Sequence, residues 1–197
     1  MPINKQTIEQ IISNLSQRMP AFLNEAHLQY EFAIELKNMF PEANCILEYR
    51  PIVSCYKQGF NKKKYYKIDL KVEDKGKVYY FEFKYIPNDI TVSINGLSFQ
   101  LKNQIGFTDR RKEIWKDIEK LENINSTKSY FIMITNNNGI LNGVPNNKYT
   151  VCDDSRLKPL TNYTKVDNFS VSIQNQYLFE YKNYFIQYEL KYLILEI

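Results

Sequence analysis

The residues best placed to do chemistry lie in two neighbouring segments. In Tyr80-Phe81-Glu82-Phe83-Lys84-Tyr85, an extended chain puts Glu82 and Lys84 on one face with Tyr80. Phe81, Phe83 and Tyr85 share the other face. In Ile68-Asp69-Leu70-Lys71-Val72, Asp69 falls on the face opposite Ile68, Leu70 and Val72. A two-residue turn at Lys75-Gly76, or a four-residue loop over 74–77, sets Asp69 directly across from Glu82, with Cβ atoms about 4.5–5.5 Å apart. The same register sets Lys67 across from Lys84. A three-residue loop ending at Gly76 shifts the register by one and separates the pair. Two opposed carboxylates repel each other, and a divalent cation removes the conflict. Hard oxygen donors with no His or Cys among them suit Mg²⁺ or Mn²⁺ rather than Zn²⁺. Lys84 beside such an ion is suited to orient a water or to stabilise charge on a phosphate oxygen. The plain alternative is a solvated ladder of alternating charges on an exposed sheet face.

A third acid comes from a helix. The pattern predicts a helix over about 21–40, ending before Pro41. Its apolar stripe is Phe22, Leu28, Phe32, Ala33, Leu36, Met39 and Phe40. At about 100° per residue, Glu25 points down the middle of that stripe, while Glu31 and Glu35 project to its flank or beyond. A carboxylate on a buried face needs a metal or a buried cation to compensate it. The competing explanation is that an acid in the first turn favours the helix dipole.

Other elements must position these groups. Ile8, Ile11, Ile12 and Leu15 predict a short helix over 5–18. Strands are expected at 45–56, with Pro51 marking an edge or bend, and at 65–73 and 77–86 around the turn DKGK. Asn95-Gly96 between 90–94 and 97–101 signals a hairpin. A helix is expected over 109–124, with Ile114, Ile118, Leu121 and Trp115 turned inward. Residues 129–135 read as a fully buried strand. Strands at 148–152, 169–181 and 184–196 follow, the last two as a hairpin about Lys182-Asn183.

The ordered set resembles the PD-(D/E)XK nuclease superfamily. Asp69 is followed, after twelve intervening residues, by Glu82-Phe83-Lys84. The order of helix with glutamate, strand, strand with Asp, strand with ExK, helix and strand also fits. The stretches NEAHLQYEFAIEL, KIDLKVEDKGKVYYFEFKY, ITVSINGLSFQL with KNQ, WKDIEKLE and MIT before Asn are similar to a small bacterial family with this fold. The likeness covers roughly residues 24–160. It implies an α/β fold of restriction-endonuclease-like type, a mixed central sheet flanked by helices, with an additional C-terminal β-hairpin. Length and pattern read as one domain over 1–197, with its core at about 21–160 and C-terminal strands at about 165–197. The resemblance further implies Mg²⁺ (or Mn²⁺) and hydrolysis of phosphodiester bonds, of DNA first. By position Asp69 and Glu82 would hold the metal, with the Phe83 carbonyl as a further ligand. Lys84 would be the catalytic lysine, Glu25 the helix glutamate, and Gln104 a polar residue after the core strands. Ile68 stands where the motif's name has Pro. The alternative is a catalytically idle nucleic-acid-binding or protein-interaction module on the same fold.

Composition narrows the partners. The 197 residues carry 26 basic and 22 acidic side chains, net +4, which permits nucleic acid without demanding it. Sixteen Tyr and twelve Phe favour sheet first and base stacking second. Cys45, Cys55 and Cys152 form no CxxC, and the single His27 has no HxxxH partner, so neither zinc nor structural disulfides are expected. No apolar run reaches the ~18 residues of a membrane helix, and the N-terminus lacks a signal core. The expectation is a soluble, cytoplasmic chain; a homodimer is suggested only by the single-site character of the domain, since two copies cut both strands of a duplex more easily. Lys57, Lys62, Lys63 and Lys64 with Tyr65 and Tyr66, and Arg110-Arg111-Lys112, are candidate phosphate contacts or simple solvated surface. His27 reads as a packing or surface residue, and Asp117 and Glu119 as members of helix-surface ion pairs.

Overall fold

The computed structural model describes residues 2–52, 55–57, 67–94, 96–102, 107–141, 156–157, 163–164, 170–171, 174–175 and 177–197. Helix α1 runs Lys5–Arg18, with the Asn4 side chain accepting from the Thr7 N–H as its cap. Its stripe of Ile8, Ile11, Ile12 and Leu15 is buried as the spacing requires. Helix α2 runs Glu25–Met39 and not from residue 21, because Asn24 is its N-cap and accepts from His27 N at 2.8 Å. Glu25 is therefore the first helical residue.

Strand β1 spans Asn44–Tyr49, β2 Ile68–Asp74 and β3 Lys77–Ile86. The expected strand over 45–56 stops at Tyr49, just ahead of Pro51; Tyr56 makes an isolated bridge to Ile124. Hairpin β4 (Ile90–Ile94) and β5 (Leu97–Leu101) pairs across 95–96 as expected. Helix α3 spans Phe107–Glu122, shifted two residues toward the N-terminus from its expected bounds. Strand β6 (Lys128–Thr135), the short helix α4 (Asn138–Leu141) and the short strands β7 (Arg156–Leu157), β8 (Tyr163–Thr164), β9 (Ser170–Val171) and β10 (Tyr177–Leu178) follow. Last come β11 (Lys182–Phe185) and β12 (Leu190–Glu196). The expected strand at 148–152 and residue Cys152 lie outside the described residues.

Six strands form one mixed sheet in the order β1-β2-β3-β6-β12-β11. Only the β3–β6 pair is parallel; β4, β5 and α3 make the crossover between them. Helices α1 and α2 cover one face, where Phe32 packs on Phe81 and Phe83 at centroid distances of 5.5 and 5.1 Å. Helix α3 covers the other with Ile114, Trp115, Ile118 and Leu121 against Phe131, Met133 and Leu193. Burial on both faces explains why β6 reads as an unbroken apolar run. Each such large side chain stabilises the fold by roughly 1.5–3 kcal/mol before entropy. Ile68 departs from the expected alternation: it joins the α3 face, whereas Leu70 and Val72 face α1 and α2. No helix among the described residues is long and apolar enough to cross a membrane.

The C-terminal hairpin exists but turns elsewhere. Lys182 and Asn183 lie inside β11, and the reversal is a short 3₁₀ turn, Ile186–Tyr188, closed by Glu189 at φ 54°. The strict alternation of this tail cannot mark its own bend; the turn is held instead by Tyr188, which packs on Phe185 and accepts from the Ser93 N–H. Strand β12 then pairs with β6, so the hairpin extends the central sheet.

The β2–β3 connection is a two-residue turn, Lys75 at φ 50° and Gly76 at φ 76°. It fixes Leu70 opposite Phe81 and Asp74 opposite Lys77, the expected register rather than the shifted one, but the pairing stops at Leu70, so Asp69 takes the Phe83 N–H and the expected ladder pairs Asp69–Glu82 and Lys67–Lys84 do not form. Nothing crowds Gly76, so its role is conformational. Gly76→Ala should lower stability by about 1 kcal/mol in urea denaturation, from the positive φ alone; an unchanged midpoint would contradict this turn geometry.

Candidate functional site

The site forms where two strands part. Pairing between β2 and β3 reaches Leu70 and Phe81, while β3 continues to Ile86 along β6. Beyond that point the N–H groups of β3 aimed at β2 need other acceptors. Asp69 Oδ2 accepts from Phe83 N at 2.8 Å, and Glu25 Oε2 from Tyr85 N at 3.2 Å. Two carboxylates thus take the place of strand carbonyls. Across the sheet on its other side, Glu48 of β1 sits between the paired residues Leu47 and Tyr49 with φ 55°, so the backbone is strained beside Asp69.

Lys84 and Glu82, alternating with these residues, face α3. Lys84 Nζ lies 2.8 Å from Asp117 Oδ2, 3.4 Å from Glu25 Oε1 and 3.2 Å from its neighbour's carbonyl, Phe83 O. Glu82 is 1% exposed. Its Oε1 lies 2.8 Å from Lys120 Nζ, which also touches Asp117 Oδ1 at 3.0 Å and donates to the Lys67 carbonyl at 2.8 Å. Glu25 is less enclosed, its side chain 30% exposed at the N-terminus of α2. There it serves both purposes foreseen for it: it faces a buried cation and it sits in the first turn.

Asp117 and Lys120 were not foreseen as part of the site. Asp117 does make the expected i,i+3 pair with Lys120, but the pair is buried and faces the sheet. The signal was present: Ile114, Asp117, Ile118 and Leu121 follow i, i+3, i+4, i+7, so Asp117 lies within the inward stripe of α3 just as Glu25 lies within that of α2. His27 behaves as a packing residue, accepting from Leu23 N and meeting the Phe22 ring edge-on. Gln104, Lys62–Lys64, Tyr65 and Tyr66 lie outside the described residues, as do the side chains of Arg110, Arg111 and Lys112.

Electrostatically the cluster is unbalanced: Glu25, Asp69, Glu82 and Asp117 face Lys84 and Lys120. Burial pushes the Glu82 carboxyl well above its ordinary value, and more than the nearby Lys120 restores. Burial also raises Asp69 and Glu25, against the opposing pull of the Phe83 N–H and Lys84. Asp117 alone is held below its ordinary value: burial works against it, but Lys84 and Lys120 both favour its anion. Burial disfavours the ammoniums too, yet Asp117 with Glu25 holds Lys84 charged, and Glu82 with Asp117 holds Lys120 charged.

These residues fit a hard divalent cation in kind. Glu82 Oε1 and Asp117 Oδ2 are buried with no aligned hydrogen-bond donor, even with Lys120 and Lys84 close by. An acceptor in that state is a ready ligand. As they stand, the acids are engaged by ammoniums and backbone N–H groups, and among the described residues no three Asp, Glu, His or Cys side chains converge as a metal-ligand set. Comparison with protein-family models, curated proteins and solved structures finds no match to this chain.

The pKa directions give opposite stability effects. Glu82, raised on folding, costs stability above its unfolded value, so Glu82→Gln should raise the melting temperature at pH 7 in metal-free buffer. The gain should shrink as the pH falls and Glu82 itself takes a proton. Asp117, lowered on folding, contributes stability above its ordinary 3.8 and loses it as the pH falls through its folded value. Asp117→Asn should therefore destabilise at pH 7, by about 3 kcal/mol, since both lysines lose their shared anion. Thermal unfolding of the three proteins from pH 4 to 8 checks both signs; a Glu82→Gln variant less stable than wild type at pH 7 would contradict the account.

Proposed function

We propose that this chain is a Mg²⁺-dependent (or Mn²⁺-dependent) nuclease, hydrolysing phosphodiester bonds of DNA on a restriction-endonuclease-like fold of the PD-(D/E)XK kind. The observation that carries the reading is that Asp69, Glu25 and Glu82 lie about Lys84 and Lys120 where β2 parts from β3, with a buried Glu82 oxygen lacking an aligned donor. Asp69 and Glu82 would hold the cation, with the Phe83 carbonyl available on the same strand. Such a cation supplies a Lewis acid for the phosphate and acidifies water.

The chain's own residues divide the remaining work. Lys84 is kept protonated by Asp117 and Glu25, so it acts as a donor and charge stabiliser for a phosphate oxygen or the attacking water, not as a base. Glu25 holds Lys84 from the solvent side and fixes the Tyr85 backbone. Asp117 holds it from α3. Two copies would allow both strands of a duplex to be cut.

One observation favours a second reading, an idle nucleic-acid-binding or protein-interaction module. Lys84 and Lys120 already neutralise part of the acidic cluster, a closed arrangement a purely structural core could keep.

A plasmid-nicking assay with Mg²⁺ or Mn²⁺ separates the two. Wild type should nick supercoiled DNA, and Asp69→Asn and Lys84→Met should each lose at least about 10²-fold in rate, the scale of a lost electrostatic group. Folded wild-type protein that nicks no faster than Asp69→Asn would favour the idle module.

A further inference from the structure

Lys120 is the least expected member of the cluster, and its contacts have an order. An ammonium carries three N–H donors, and Lys120 has three acceptors near it: the Lys67 carbonyl at 2.8 Å, Asp117 Oδ1 at 3.0 Å and Glu82 Oε1 at 2.8 Å. The contact to Lys67 is an aligned hydrogen bond, whereas Glu82 Oε1 is left without an aligned donor. Lys120 and Glu82 form a 2.8 Å ion pair. Asp117 has one ammonium beside each of its oxygens, Lys84 at Oδ2 and Lys120 at Oδ1, and its Oδ2 shares with Glu82 Oε1 the lack of an aligned donor.

Lys120 can therefore give up Glu82 without being stranded. Two of its contacts, one on the residue just before β2 and one on its own helix, remain. The Glu82 carboxylate would otherwise stay buried as an uncompensated anion, which is costly. A cation that leaves when a stronger one arrives meets both needs.

We propose that Lys120 is a positioning residue, the resident counter-cation of Glu82, which a divalent cation displaces and which then turns the freed N–H toward a substrate phosphate oxygen. The proposal rests on the cation-dependent reading above. Lys120 and the incoming ion compete for the same carboxylate, so loss of the lysine charge strengthens ion binding. A lysine serving only to hold the fold would leave ion affinity unchanged or lower.

Calorimetric titration of Mn²⁺ into full-length wild type, Lys120→Gln and Lys120→Arg, each checked for folding by circular dichroism, tests this. Gln keeps a donor for the Lys67 carbonyl without the charge. Lys120→Gln should bind Mn²⁺ at least tenfold more tightly than wild type, while Lys120→Arg, which restores the charge, should not gain affinity. Equal or weaker binding by Lys120→Gln overturns the proposal while leaving the cation-dependent reading intact. No Mn²⁺ binding by any of the three overturns both. If Lys120→Gln fails to fold, ¹⁵N resonances of the lysine ammoniums in wild type answer the same question. Mg²⁺ should shift the signal that Lys120→Arg removes, and a signal unmoved while other site resonances saturate overturns the proposal.

Discussion

The edge of β3 that β2 abandons is the constraint on which the site depends. A buried N–H without an acceptor costs about 1–3 kcal/mol. Two of them, at Phe83 and Tyr85, follow one another along that edge, and both are taken by carboxylates, from Asp69 and Glu25. The acids are thus built into the sheet's own hydrogen bonding, which sets their positions without help from the surface. Because successive residues of β3 face opposite ways, the same strand sends Phe81 and Phe83 into the α1–α2 core and Glu82 and Lys84 toward α3. Core packing and site geometry are therefore one register problem.

Once Glu82 is buried, the rest of the charge pattern follows. A lone carboxylate there is untenable. Lys120 comes from α3 to meet it, Asp117 joins Lys120 to Lys84, and Glu25 closes the far side. Such a network is weak evidence for stability, since well-packed apolar residues commonly do as well. It holds more carboxylates than ammoniums, the imbalance that the proposed cation would offset. The strained φ of Glu48 lies on the neighbouring strand, beside Asp69.

Much of this was legible in the sequence. Strict alternation in Tyr80–Tyr85 and the Lys75-Gly76 turn together specify the register, because only Gly and a few polar residues tolerate positive φ. The hidden helix glutamate was legible because a charge in an apolar stripe is conspicuous. Asp117 carries the same mark, but nearby lysines offer it an ordinary helix-surface explanation. The start of α2 was misread because the apolar Phe22 continues the stripe past its cap; Asn24, with a side chain suited to capping, was the better guide. The tail's turn was not legible at all. Its alternation runs unbroken through the bend, and what fixes the bend is a tertiary contact from Tyr188 to the β4–β5 hairpin.

The most direct test of the central claim is a crystal structure of the wild-type protein soaked in MnCl₂, with an anomalous difference map. A manganese peak is expected between the Asp69 and Glu82 carboxylates, with Lys84 still on Asp117 and Glu25. A map with no peak there, and Glu82 still closed against Lys120, would contradict that claim.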